Sequence, residues 1–83
     1  QNIQAASNIG YSVKERLATH ILSIENQGHF QLELHLLADS FGTSYRHLLR
    51  TIKDFLEKKI ISKQGKNYQI CDRKILEKLR IHP

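Results

Sequence analysis

The sequence predicts a mainly α-helical fold with a small antiparallel β-sheet. Apolar residues recur at helical spacing in four segments of the chain. Two short, weakly apolar stretches late in the chain flank a turn that contains a glycine, which is the pattern of a β-hairpin. With 83 residues and a mean hydropathy of −0.45, the chain has room for one small domain with a single core.

The first helix is predicted at residues 12–26. Ser12 and Glu15 have the spacing of a capping box, in which each side chain bonds a backbone N–H at the helix start. Gly28 is predicted to end this helix. Apolar and polar residues then alternate over residues 30–34, which predicts a short strand.

Two further helices are predicted on either side of Gly42, which can take the positive φ of a tight turn. The first covers residues 35–41, and the second covers residues 44–58 with Ser44 as its N-cap. The apolar stripe of the second helix consists of Leu48, Ile52, Phe55 and Leu56. Its opposite face carries Tyr45, Arg46, Arg50, Lys53 and Glu57.

The remaining elements are a hairpin and a last short helix. Strands are predicted at residues 60–63 and 67–71, joined by residues 64–66, and Asp72 is the predicted N-cap of the final helix. The chain begins at Gln1 and contains no methionine, so we expect it to be part of a longer protein. Residues 1–10 are then expected to be the tail of an upstream helix and a linker, and residues 11–83 the folded domain.

The positive charge is concentrated in one part of the chain. Residues 44–66 contain seven basic and two acidic side chains, so this segment carries the whole net charge of +5, and the basic and acidic residues elsewhere cancel. A basic patch on one helix and the following hairpin is the electrostatic pattern of a nucleic-acid-binding domain. The alternative is a lysine-rich face that is only solvated.

A turn between two helices, with a hairpin after the second, predicts a winged helix-turn-helix that binds double-stranded DNA in a sequence-specific way. The major groove of B-DNA admits one α-helix, and an arginine side chain can bond both acceptors of a guanine edge. Lysines of the wing suit contacts with phosphates. The candidate contact residues on the predicted helix and wing are Tyr45, Arg46, His47, Arg50, Lys53, Lys63 and Lys66.

The segment from residue 32 to residue 61, followed by the Gly65 turn and Asp72-Arg73, resembles the DNA-binding domain of the Crp/Fnr family of bacterial transcription regulators. The resemblance covers residues 13–80 and is greatest to YeiL-like members, on Ser44-Tyr-Arg-His-Leu-Leu. It implies that Thr43 and Ser44 contact phosphates, and that Tyr45, Arg46 and Arg50 read bases. It also implies a homodimer in the full-length protein, an upstream sensor domain whose effector the sequence does not define, and RNA polymerase as a further partner to be tested.

Three positions depart from the family pattern. Glu33 and Leu36 stand where the family often has a reciprocal capping box, so we expect at most a weak cap from Glu33. Tyr45-Arg46 replaces the common Arg-Glu pair, which predicts a different preferred DNA site. Lys59 stands where glycine or asparagine often ends the helix, a change that costs up to about 1 kcal/mol if the backbone there is left-handed.

Other functions find less support in the sequence. No pair among the five histidines has convincing zinc-ligand spacing, no nucleophile motif is present, and we expect no enzyme activity, no metal and no cofactor in these 83 residues. We expect Cys71 to be a small core residue, and Tyr11 and Tyr68 to be ordinary packing residues. Leu49 and Leu56 either extend the core or form a docking surface.

Two competing functions remain. The first is a winged-helix module that binds protein and no DNA. The second is a basic domain for anionic membranes, which is disfavoured because the basic helix uses its apolar face for the core. No apolar run reaches the roughly 18 residues of a membrane-spanning helix, and no targeting segment is visible. The single cysteine, Cys71, cannot form an internal disulfide, whereas a small secreted domain usually has several, so we expect a cytoplasmic protein.

Overall fold

Four helices and three short strands form residues 11–81, which are the part of the chain that the computed structural model describes. In chain order they are α1 (Val13–Ile24), β1 (His29–Phe30), α2 (Leu34–Phe41), α3 (Tyr45–Glu57), β2 (Ile61–Gln64), β3 (Asn67–Ile70) and α4 (Arg73–Leu79). The three strands form one antiparallel sheet in the order β1-β3-β2. The predicted winged helix-turn-helix is confirmed, whereas the prediction for residues 1–10 lies outside the described residues.

The capping box at the start of α1 is confirmed. Glu15 Oε1 accepts the Ser12 N–H at 2.8 Å, and Ser12 Oγ accepts the Glu15 N–H at 3.2 Å. The predicted end of the helix was two residues too late, because α1 ends at Ile24. Gln27 and Gly28 have φ values of 56° and 85° and form the turn that leads into β1, so Gly28 serves this turn and does not cap the helix.

The predicted strand at residues 30–34 was wrong in its extent. β1 has two residues, which pair with β3, His29 with Gln69 and Phe30 with Tyr68, while His29 also bridges Asn26 across the preceding turn. Leu34 already belongs to α2, where helical packing decides the conformation. Glu33 occupies the N-cap position of α2 without a side-chain hydrogen bond, so the weak cap expected from Glu33 was also wrong.

The hairpin and the last helix agree closely with the prediction. β2 and β3 pair from Ile61 with Ile70 to Gln64 with Asn67, which leaves a turn of two residues and not three. Gly65 takes the positive φ of 64° that this tight turn needs. Asp72 caps α4, since its carboxylate accepts the Ile75 N–H at 3.3 Å.

The core lies between the four helices and the sheet. Its largest fully buried side chains are Leu17, Ile21, Leu48, Phe55, Ile61 and Leu76. Tyr68 is buried as expected, and its ring stacks on Phe30 at 5.4 Å between centroids. Tyr11, in contrast, is 45% exposed. Because α3 contributes three buried side chains to this core, its rotation about its own axis is fixed.

An ion pair between Glu25 and Arg73 joins the end of α1 to the start of α4. The Glu25 carboxylate accepts the Gly28 N–H at 2.8 Å and lies 3.3 Å from the Arg73 guanidinium at the start of α4. The Gly28 N–H, and after it Arg73, hold the pKa of the Glu25 carboxyl below its usual value. A second connection is the Ile81 N–H, which donates to Thr19 Oγ1 at 2.9 Å.

Candidate nucleic-acid interface

The outer face of α3 carries three cations that form no ion pair with a carboxylate within residues 11–81. Leu48, Ile52 and Phe55 are 0–4% exposed and face the core. Their burial turns the opposite side of the helix toward solvent, where Arg46, Arg50 and Lys53 are exposed as predicted. None of these three cations forms an ion pair with another described residue. The face therefore offers guanidinium and ammonium groups that are ready to bond an anionic or hydrogen-bonding partner.

One carboxylate of α3 is paired on the flank of this face. The Asp54 carboxylate lies 3.1 Å from the Lys58 ammonium, one helical turn further along. Both side chains line an open groove between α1 and α3, together with Lys14, His47, Arg50 and Thr51. The predicted contact residue His47 is exposed at this groove. Lys14 of α1 was not predicted, because its position beside α3 depends on how the two helices pack.

The predicted phosphate contacts Thr43 and Ser44 lie at the N-terminal end of α3. Ser44 is exposed and caps the helix, with its Oγ accepting the His47 N–H at 3.0 Å. Its hydroxyl hydrogen remains available to a further acceptor. Thr43 is half-buried, and its N–H already donates a hydrogen bond to the Ala38 carbonyl at 3.0 Å. A helix N-terminus favours a negative charge, so this end of α3 is electrostatically suited to a phosphate.

Tyr45, the first residue of α3, is held by an aromatic contact with α2. Its ring stacks on that of His35 with 4.2 Å between centroids and 8° between planes. Tyr45 was predicted from the sequence to be a contact residue. His35 was not predicted, because it is one of five histidines that follow no pattern in the sequence. The two residues are ten positions apart in the sequence and lie on different helices, so no periodicity within one helix indicates such a contact.

The two lysines of the wing differ in their surroundings. Lys66 is exposed in the two-residue turn at the tip of the hairpin. Lys63 lies opposite Tyr68 in the sheet, and its ammonium is 5.5 Å from the centroid of that ring. Both lysines line a groove between the wing and the segment before α2, where Gln31 Nε2 donates to Asn67 Oδ1 at 2.7 Å. The wing is thereby tied to the start of the helix-turn-helix.

Seven of the nine predicted contact residues thus lie on the turn and α3, and the other two lie on the wing. Of the two leucines expected either to extend the core or to form a docking surface, Leu56 extends the core. Leu56 is half-buried against the core, whereas Leu49 is 38% exposed on α3. Leu36 of α2 is more exposed still, at 66%.

The prediction for Cys71 was wrong, because this side chain is exposed. Side chains alternate along β3, with Tyr68 inward, so Gln69 and Cys71 face outward. Among residues 11–81 no group of three histidine, cysteine or carboxylate side chains could hold a metal ion. No helix in the same range is long and apolar enough to cross a membrane.

Residues 15–79 match the family model of the Crp-like helix-turn-helix domain. The chain is also similar to solved structures. One is assigned as a transcriptional regulator of the Crp/Fnr family from Eubacterium rectale, with a TM-score of 0.76, 22% identity, and coverage of 90% of this chain and 36% of that one. A Crp-family transcriptional regulator from Thermus thermophilus gives a TM-score of 0.71 and 15% identity over 90% of this chain and 43% of its own.

The catabolite activator protein of Thermus thermophilus is similar as well, with a TM-score of 0.65 and 21% identity over 81% of this chain. The region shared with this chain is 33% of that structure, and at most 43% of the other two. At these identities the likeness concerns the fold. No curated relative matches the sequence.

Proposed function

The chain belongs to the family of Crp-like helix-turn-helix domains, and from this membership we propose that it binds double-stranded DNA sequence-specifically to regulate transcription. The family supports a DNA-binding regulator and not an enzyme. The observation that carries the sequence-specific part is the outer face of α3, where Arg46, Arg50 and Lys53 are exposed and unpaired among the described residues. In this proposal α3 enters the major groove.

Each contact residue has a role that its chemistry suits. Arg50 is proposed to bond the two acceptors of a guanine edge, since its side chain projects from the middle of the exposed face. Arg46 and Tyr45 are proposed to read neighbouring bases, with Lys53 and His47 at the edges of the contact. Ser44 at the helix N-terminus, and Thr43 before it, are proposed to meet a phosphate.

The wing is proposed to contact the DNA backbone through Lys63 and Lys66. An ammonium on a flexible stem acts as a point charge, so these contacts add affinity without adding sequence information. The Gln31 to Asn67 hydrogen bond supports a fixed position of the wing relative to the helix-turn-helix. Backbone contacts of this kind fix the register in which α3 meets the bases.

The assembly of the longer protein is a further part of the proposal. One recognition helix covers few base pairs, whereas a homodimer places two such helices about 34–36 Å apart on an inverted repeat. We propose that the full-length protein is such a homodimer, that residues 1–10 end its dimer helix, and that RNA polymerase is a partner. The YeiL-like subtype stays a prediction.

Light scattering of the 83-residue chain tests the proposed assembly. A stable dimer of this chain in dilute solution would contradict dimerisation through upstream residues.

Fluorescence anisotropy with a random-sequence duplex and a duplex selected by the domain from a randomised pool tests the function. DNA binding predicts that the logarithm of the affinity for both duplexes falls linearly with the logarithm of the salt concentration, and that the selected duplex binds more tightly. The alternative, a protein-binding module, is favoured by the exposed Leu36 and predicts no salt-dependent affinity for either duplex. Binding to anionic vesicles without binding to duplex would support the membrane function instead.

A further inference from the structure

The stacked pair of His35 and Tyr45 connects the two helices of the helix-turn-helix on their outer surface. His35 lies in the first turn of α2, and Tyr45 is the first residue of α3. Their rings are 8° from parallel at 4.2 Å, although both side chains are exposed. Tyr45 is 39% exposed, and a parallel ring at this distance restricts the rotamers that its side chain can adopt.

The polar end of Tyr45 is left available by this contact. Within residues 11–81 the Tyr45 hydroxyl has no hydrogen-bond partner, and the ring of Tyr45 stacks on that of His35. A tyrosine hydroxyl can both donate and accept, and its ring can lie against a thymine methyl group. Tyr45 therefore combines a restrained ring with free hydrogen-bonding capacity at the start of α3.

We propose that His35 is a positioning residue of the DNA interface, which acts by holding the Tyr45 ring in its base-contacting orientation before DNA binds. This inference rests on the proposed function. A side chain that is already ordered loses less conformational entropy on binding, so its contact contributes more to affinity. Discrimination at the base pair read by Tyr45 then depends on His35, although His35 itself reads no base.

A double-mutant cycle on the 83-residue chain tests this role. The probes are the duplex that the unmodified chain selects from a randomised pool, and its single-base-pair variants. Tyr45→Ala is expected to lose discrimination at one base pair. His35→Ala is expected to lower discrimination about two- to tenfold at that same base pair, as expected for the loss of one aromatic pair. In the Tyr45→Ala background, His35→Ala is expected to have no further effect.

Two further variants separate a positioning role from a general structural one. His35→Phe keeps a flat ring and is expected to restore discrimination. Leu36→Ala, a neighbouring exposed change in α2, is the matched control and is expected to leave discrimination unchanged. Equal weakening on every duplex by His35→Ala, or a loss that persists in the Tyr45→Ala background, would overturn the proposal, because His35 would then act independently of Tyr45.

The stack can also be measured without DNA, which distinguishes failure of this inference from failure of the proposed function. His35→Ala is expected to shift the NMR signals of the Tyr45 ring protons by removing a neighbouring ring, and His35→Phe to keep a ring-current shift. Unchanged Tyr45 signals in His35→Ala overturn the inference even where DNA is bound. An unmodified chain without any duplex preference overturns the proposed function and the positioning role together, while the NMR shift then still reports the stack.

Discussion

Lys59, the second residue after α3, has the left-handed backbone conformation that Gly42 has directly after α2, with φ values of 58° and 68°. The hydrogen bonds are equivalent as well. The Ile60 N–H donates to the Phe55 carbonyl at 2.9 Å, and the Thr43 N–H donates to the Ala38 carbonyl at 3.0 Å. Both helices therefore end in a Schellman motif. Only Gly42 reaches this conformation without the steric cost that a Cβ atom imposes.

Lys59→Gly is expected to raise the free energy of unfolding by about 0.5–1 kcal/mol, because it removes the left-handed strain while the greater freedom of the unfolded glycine offsets part of the gain. Urea denaturation followed by circular dichroism measures this difference. Lys59→Ala is the matched control, since it removes the same charge and keeps the Cβ. An equal gain in Lys59→Ala would assign the effect to charge repulsion and not to the backbone.

Arg50→Ala is expected to remove discrimination at one base pair, with a loss of about 1–3 kcal/mol on the selected duplex and little change on random DNA. The reason is that Arg50 projects from the exposed face one turn beyond Arg46. Competition binding with single-base-pair variants measures the loss. Lys74→Ala, which removes an exposed cation of α4, controls for net charge. Equal losses on selected and random DNA would show that Arg50 contacts only phosphate.

The wing lysines are expected to act on affinity and not on sequence preference. Lys63→Ala and Lys66→Ala should each weaken binding to all duplexes and reduce the slope of log affinity against log salt by about 0.9, the value for one phosphate contact. Titrations at several salt concentrations measure the slope. If neither substitution changes the slope, the wing lies away from the DNA.

His20 is expected to make the domain less stable in mild acid. Its ring is half-buried and nearly perpendicular to that of Phe41, and burial lowers the pKa of His20 from 6.5. The unfolded chain therefore takes up the proton first on acidification. The free energy of unfolding therefore keeps its full value above about pH 6.5, the pKa of His20 in the unfolded chain. It falls as the pH decreases from there through the lowered pKa of the folded state. In His20→Gln the free energy of unfolding should vary less between about pH 7 and pH 5, and an unchanged pH dependence would contradict the assignment to His20.

Features set by short stretches of sequence could be predicted. The capping box of Ser12 and Glu15, the N-caps Ser44 and Asp72, and the left-handed Gly42 all depend on residues within one turn of each other. The exposure of the charged side chains of α3 could be predicted from the apolar stripe on the opposite face of the helix. In each case the local hydrogen bonds or the helical period suffice to determine the structure.

Features set by packing between distant segments could not be predicted. β1 ends at Phe30 because β3 provides partners only for its two residues, which the alternation from 30 to 34 does not report. Cys71 faces outward because the inward position of Tyr68 sets the alternation of β3. The stack of His35 on Tyr45 depends on the angle between two helices. No property of either residue alone indicates it.

Replacing single guanines of the selected duplex by 7-deazaguanine is the most direct test of whether α3 reads base edges in the major groove. The substitution removes only the N7 acceptor, which lies in the major groove. One guanine is expected to become sensitive, with a loss of about 1–3 kcal/mol that disappears in Arg50→Ala, whereas inosine, which removes only the minor-groove amino group, should have little effect there. Insensitivity at every guanine, or a sensitivity that Arg50→Ala leaves unchanged, would contradict recognition of the major groove through Arg50 of α3.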